Sequence, residues 1–149
     1  MGLLPMETVF QNLKTRTRVS GTFPKVEGAL SSLTGVKLEG YEIHMGESVL
    51  LEGAHPFTEI TDHVQNTTKQ DGAYCNNVYG SYVHGIFDKE AVAKNIVKAI
   101  GEEKGLDVSE MTGIDFAAFK ETQYDKLADG LRKHLDMKKI YEILEAGLE

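Results

Sequence analysis

"GSYVHGIF", residues 80–87, separates two hydrophobic periods, and its reading decides the fold. Val78, Tyr79, Tyr82, Val83, Ile86 and Phe87 are the residue types that fill buried strands. Beyond the stretch, Val92, Ile96 and Ile100 recur every four positions, the spacing of one helix face. Asp88 stands where an N-cap belongs and Gly101 where a helix stops. A strand that runs through His84 into a sharp Gly85 turn, and then a helix, sets His84 at the carboxyl edge of a sheet. Open α/β sheets place ligand sites at that edge. An imidazole there can act as a general base, because its ordinary pKa lies near neutrality. It can also be a structural ring bonded to a carbonyl, and the pattern alone leaves both readings open.

Toward the N-terminus, residues 15–20 alternate, are rich in β-branched side chains, and close on Gly21, which reads as a strand. Residues 36–45 and 48–51 read as further strands. Residues 63–77 form a polar stretch whose Asp71-Gly72 and Asn76-Asn77 pairs favour turns. Toward the C-terminus, Tyr124, Leu127, Leu131 and Leu135 mark a second helix. Asp136 caps a short third one through Met137, Ile140, Tyr141 and Leu144. These stripes read as packing faces. Strands followed by strand-to-helix units give an α/β or α+β layered arrangement, and residues 1–149 read as one domain or part of one. "MGLLPMETVF" opens apolar and runs into Pro5, as though cut from the middle of a packed domain. Residues 148–149 read as a cloning scar.

"GYEIHMG", residues 40–46, is the second candidate site. Alternation sends Tyr41, Ile43 and Met45 to one face and Glu42 and His44 to the other, the latter two about 7 Å apart at the strand rise. The stretch is either the wall of a polar pocket or the solvent face of a half-exposed strand, and the pattern favours the solvent face. Cys75 and His84 would make a nucleophile and base. An extended chain between them, however, holds them on the order of 20–30 Å apart, and Cys75 sits in a turn without the glycines of a nucleophile elbow. The histidines at 44, 55, 63, 84 and 134 have no metal-ligand spacing.

The net charge of −7 argues against nucleic acid as a partner. Lys14, Arg16 and Arg18 alternate along one face and read as a solvated edge. No apolar stretch approaches the roughly 20 residues of a membrane span. One cysteine cannot form an internal disulfide, which fits the cytoplasm.

"GLLPMETVF" (2–10), "GYEIHMG" (40–46), "VYGSYVHGIFD" (78–88) and "YDKLADGLRKHLDMKKIYEIL" (124–144) occur in that order. Together they resemble the C-terminal part of the glutamine amidotransferase domain of the cobyric acid synthase family, in the cobyrinic branch of the class I amidotransferases. The resemblance implies a flavodoxin-like α/β fold, present here as an incomplete C-terminal portion. It implies that His84 is the catalytic histidine that activates a cysteine attacking the side-chain amide of glutamine. It also implies that the freed ammonia passes to an N-terminal synthetase domain of the same parent chain, where ATP and Mg2+ drive amidation of four carboxylates of a corrinoid substrate. This domain itself would need no cofactor and no metal.

Two departures from the family pattern matter. The family's glycine-flanked cysteine precedes the "GLLP" stretch, with which this chain begins, so the chain alone is expected to be inactive toward glutamine. Many class I amidotransferases carry a glutamate two residues after the histidine, and here that position is Ile86. A carbonyl, or Glu42 across the sheet, would then orient His84. Missing strands would leave an exposed apolar face and some self-association. The related glutaminase of cobyrinic acid a,c-diamide synthase, a glutaminase serving another acceptor such as a cell-wall precursor, and a non-catalytic interaction module are the alternatives.

Overall fold

The structure is a computed structural model that describes residues 2–109 and 115–147. Two compact units divide at the 114/115 boundary. Among the described residues the first contains seven strands: β1 (Met6–Thr22), β2 (Lys37–Leu50), β3 (Thr58–Asp62), β4 (Thr68–Asp71), β5 (Ala73–Cys75), β6 (Val78–Gly80) and β7 (Val83–His84). It also holds a 3₁₀ turn at Gly28–Leu33 and the helix α1 (Glu90–Glu103). Five strands form one sheet in the order β4-β3-β1-β2-β7, and β5 and β6 form a separate hairpin. Every pairing among the described residues is antiparallel. The arrangement is a mixed α/β one.

The two stretches read as separate strands at 36–45 and 48–51 are one strand, β2, because β1 runs beside it to Met6 and pairs as far as Leu50. The ladder is broken once, between Phe10 and Thr15, where residues 11–14 bulge out of register. Pairing places Thr17, Val19, Gly40, Glu42 and Val83 on one face of the sheet and Arg16, Arg18, Tyr41, Ile43 and His84 on the other. The first face covers the core. Val19, Leu38, Ile60 and Val83 meet Phe23, Val26, Leu30 and Leu33 from the β1–β2 connection, together with Phe57, Tyr74, Ile86 and Val92. Each such side chain contributes about 1.5–3 kcal/mol on burial. Arg16 and Arg18 lie exposed as read, and the Arg18 guanidinium sits 5.7 Å from the centre of the Tyr41 ring.

Residues 63–77, read as a turn-rich polar stretch, hold the strands β4 and β5, with the expected turns at Gly72 and Asn76 between and after them. Asn76-Asn77 connects β5 to β6 between the paired Cys75 and Val78, with Asn76 at φ 54°. Helix α1 departs from expectation at both ends. Its N-cap is Lys89, whose side chain pairs with Glu39 at 2.8 Å and does not cap the helix, while the Asp88 amide closes on the Gly85 carbonyl at 2.9 Å. Gly101 lies inside the helix, where a Cβ would come within 2.3 Å of Val108, so that glycine marks a close approach. The helix stops at Gly105 (φ 69°), where the amides of Leu106 and Gly105 bond back to Gly101 and Glu102.

The second unit consists of α2 (Phe116–His134) and α3 (Met137–Ala146). Asp115 and Asp136 cap them, each accepting the amide of the third residue on at 3.0 Å. The stripes are present on the helices; within the described residues neither helix has a buried residue, and Leu127 is 60% exposed. A helix stripe is covered only by a partner surface, and spacing alone does not supply one. The residues read as a cloning scar, 148–149, lie outside those described.

Candidate active site

His84 is the last residue of β7, an edge strand two residues long, and its side chain is exposed. Its backbone faces Tyr41 and that of Val83 faces Glu42. Residues directly opposite in an antiparallel pair point to the same side of the sheet. His84 therefore stands with Tyr41 on the outward face, while Val83 and Glu42 point inward.

Two glycines set this position. Gly85 adopts φ 79°, a left-handed conformation that turns the chain from His84 toward α1. Gly40 lies under β7, and a Cβ there would stand 2.3 Å from the His84 carbonyl oxygen and 2.6 Å from Val83 Cγ1. Gly40→Ala is accordingly expected to push β7 off β2 and to cost about 1–3 kcal/mol, the usual cost of overpacking. Urea denaturation checks this, and an unchanged midpoint contradicts it.

Glu42 and His44 correct the sequence expectation. The face of β2 read as solvated is the inward one, and Glu42 is 2% exposed, whereas the apolar alternates Tyr41 and Met45 are 51% and 45% exposed. The burial is possible because two partners converge on one carboxylate oxygen. Glu42 Oε1 lies 2.6 Å from His44 Nε2 and accepts from Lys69 Nζ at 2.6 Å. His44 Nδ1 lies 2.7 Å from the Gly46 carbonyl oxygen, so both ring nitrogens face acceptors. Glu42 Oε2 is buried with no hydrogen-bond partner among the described residues. The Tyr82 ring lies over His44 with centroids 4.6 Å apart, and its hydroxyl bonds Ser48 Oγ at 2.8 Å. These groups line an open groove of about 970 Å³, together with the bulged Asn12 and Leu13. Glu42 and His44 thus line a pocket. Because Glu42 faces away from His84 and is held by His44 and Lys69, it does not orient the His84 ring.

Cys75 lies at the end of β5 in the hairpin, with Asn76 Nδ2 3.5 Å from its sulfur, a turn setting unlike a nucleophile elbow. Among the described residues no three His, Cys, Asp or Glu side chains cluster as a metal site. No helix among them is long and apolar enough to cross a membrane. The sequence reading missed Lys69 and Asp71. Asp71 was visible only as half of an Asp-Gly turn, yet its carboxylate is buried. Lys69 is recognisable only from register, since it lies opposite Ile60 on the inward face.

Residues 1–92, which carry all seven strands, match the model of the CobB/CobQ-like glutamine amidotransferase domain. The chain is 45% identical to the cobyric acid synthase of Ruminiclostridium cellulolyticum over 151 residues, covering 100% of this chain and 29% of that protein. It is 45% identical to that of Lachnoclostridium phytofermentans over 99% of the chain and 30% of the relative. To that of Salmonella agona it is 38% identical over 100% of the chain and 29% of the relative. The chain thus spans about three tenths of the length of the curated relatives it matches. By sequence from Met1 through the start of α1, this chain belongs to the CobB/CobQ-like glutamine amidotransferase family.

Proposed function

We propose that the chain works as part of a cobyric acid synthase, in the cytoplasm, as the C-terminal portion of a flavodoxin-like class I amidotransferase domain. In this reading glutamine is the nitrogen donor and His84 is the base. It takes the thiol proton of a cysteine supplied by sequence outside these 149 residues and returns a proton to the leaving ammonia. The ammonia then serves ATP-dependent amidation of corrin carboxylates in the synthetase portion of the longer polypeptide. The observation that carries the reading is the end-to-end match to cobyric acid synthases at 45% identity. The exposed position of His84 at a strand end, followed by the left-handed Gly85, is what such a base requires.

The test is ammonia release from glutamine, measured on the 149-residue chain and on a polypeptide of the relatives' full length that carries it. The short chain is expected to show none, because without a nucleophile the covalent route is closed, and the long one to show turnover. Turnover by the short chain, or none by the long one, contradicts the proposal.

The outward face of β1 and β2 exposes Val9, Tyr41, Ile43, Met45 and Val49. An apolar face of this kind favours association, so sedimentation of the isolated chain is expected to show species larger than a monomer that grow with concentration. A single monomer at high concentration argues against this.

A further inference from the structure

We propose that Asp71 is a positioning residue for His84, an inference that rests on the role of His84 proposed above. The strand β7 is two residues long and pairs only with β2, so its backbone ladder alone fixes it weakly. What precedes it is tied to one carboxylate. Asp71 ends β4, is 5% exposed, and shares the inward face with Thr58 opposite. Its Oδ2 accepts from Ser81 Oγ at 2.6 Å and from Thr58 Oγ1 at 3.0 Å. The amide of Tyr82 lies 3.3 Å from both carboxylate oxygens. Ser81 Oγ in turn accepts the amide of Val83 at 3.0 Å. Three successive residues, 81 to 83, thus depend on Asp71 directly or at one remove, and His84 is the next.

The neighbouring contacts act in the same direction. Gly72, at φ 66°, lets β4 turn directly beneath this segment, since a Cβ there would come within 2.1 Å of the Gly80 carbonyl oxygen. The Tyr82 side chain, bonded to Ser48 and with its ring tilted 32° to that of His44, adds to the clamp from the groove side. A buried carboxylate that accepts several hydrogen bonds is costly to disrupt and rigidifies what it holds. The strand end that bears the imidazole is therefore fixed from beneath the sheet, by a residue that never touches the outward face.

Asp71→Asn keeps the shape but replaces one acceptor by a donor aimed at Ser81 and Tyr82. In the 149-residue chain, amide exchange at Tyr82 and Val83 is expected to accelerate by about tenfold or more. The His84 ring resonances are expected to shift while the amides of β1 to β3 stay protected. In a polypeptide of the relatives' length, turnover of glutamine is expected to fall about tenfold with KM within about twofold, the split expected of a displaced base. Wild-type exchange and ring resonances in the variant overturn the proposal, as does a loss confined to KM. If the long wild-type protein releases no ammonia, the functional reading fails while the exchange data still decide the clamp. Should Asp71→Asn not fold, Ser81→Ala, which removes only the relaying hydroxyl, is expected to give the same pattern at smaller amplitude, and its absence there overturns the inference.

Discussion

Replacing His84 by Asn in a polypeptide of the relatives' length is expected to lower the turnover of glutamine hydrolysis by about 10²–10⁴-fold, the range for losing a general base. Its KM should change little, because in the proposed role the ring acts on the reacting thiol and contributes little to holding glutamine. Stability should be nearly unchanged, within about 0.5 kcal/mol, since the side chain is exposed and it is the backbone of His84 that pairs with Tyr41. Steady-state kinetics and a thermal melt on the same preparation separate the two effects. A variant that keeps its turnover removes His84 from the chemistry. One that loses turnover and stability together would mean that the ring has a structural role.

The second large effect concerns stability. Glu42→Ala removes the acceptor shared by His44 and Lys69 and leaves both donors facing a buried gap. Breaking one side of a buried ion pair costs about 3–5 kcal/mol. Lys69 is half exposed and can turn to water, so the lower end, about 3 kcal/mol, is expected. Glu42→Gln keeps one acceptor and the shape and should cost about half as much. Urea denaturation of the chain measures both. A loss under about 0.5 kcal/mol for the alanine variant would mean that the network is solvated. Because Glu42 faces away from His84, the folded Gln variant of the long polypeptide should retain wild-type glutamine turnover, and a large fall would restore the idea that Glu42 orients the imidazole.

What the sequence revealed and what it hid divide along physical lines. Local rules were readable: the hairpin at Asn76-Asn77, the cap at Asp136, and the glycine after His84 each act within a few residues of themselves. The order of four motifs also pointed to the family before any geometry was known. Facing was not readable. Alternation along "GYEIHMG" assigns Tyr41 and Glu42 to opposite sides but cannot say which side is covered, and the usual preference for apolar residues inside points the wrong way here. Glu42 is inward because Lys69, 27 residues on, comes alongside through β3 and β4 to neutralise it. That partnership is a matter of sheet register, which no local window contains. Asp71 was hidden for the same reason. Its ligands at 58, 81 and 82 come together only once the sheet has formed, so a buried carboxylate looked like half of a surface turn. In α2 the helical period was readable, and a period specifies a face and not what covers it.

In the proposed function His84 serves the release of ammonia from glutamine and nothing downstream. Incorporation of nitrogen into the corrin product, followed with amide-¹⁵N-glutamine in one arm and free ¹⁵N-ammonium in the other, tests it most directly. In the long polypeptide the wild type is predicted to use both sources. The His84→Asn variant is predicted to lose the glutamine signal while keeping incorporation from ammonium at the wild-type rate. Loss of both signals, or retention of the glutamine signal, would contradict the account.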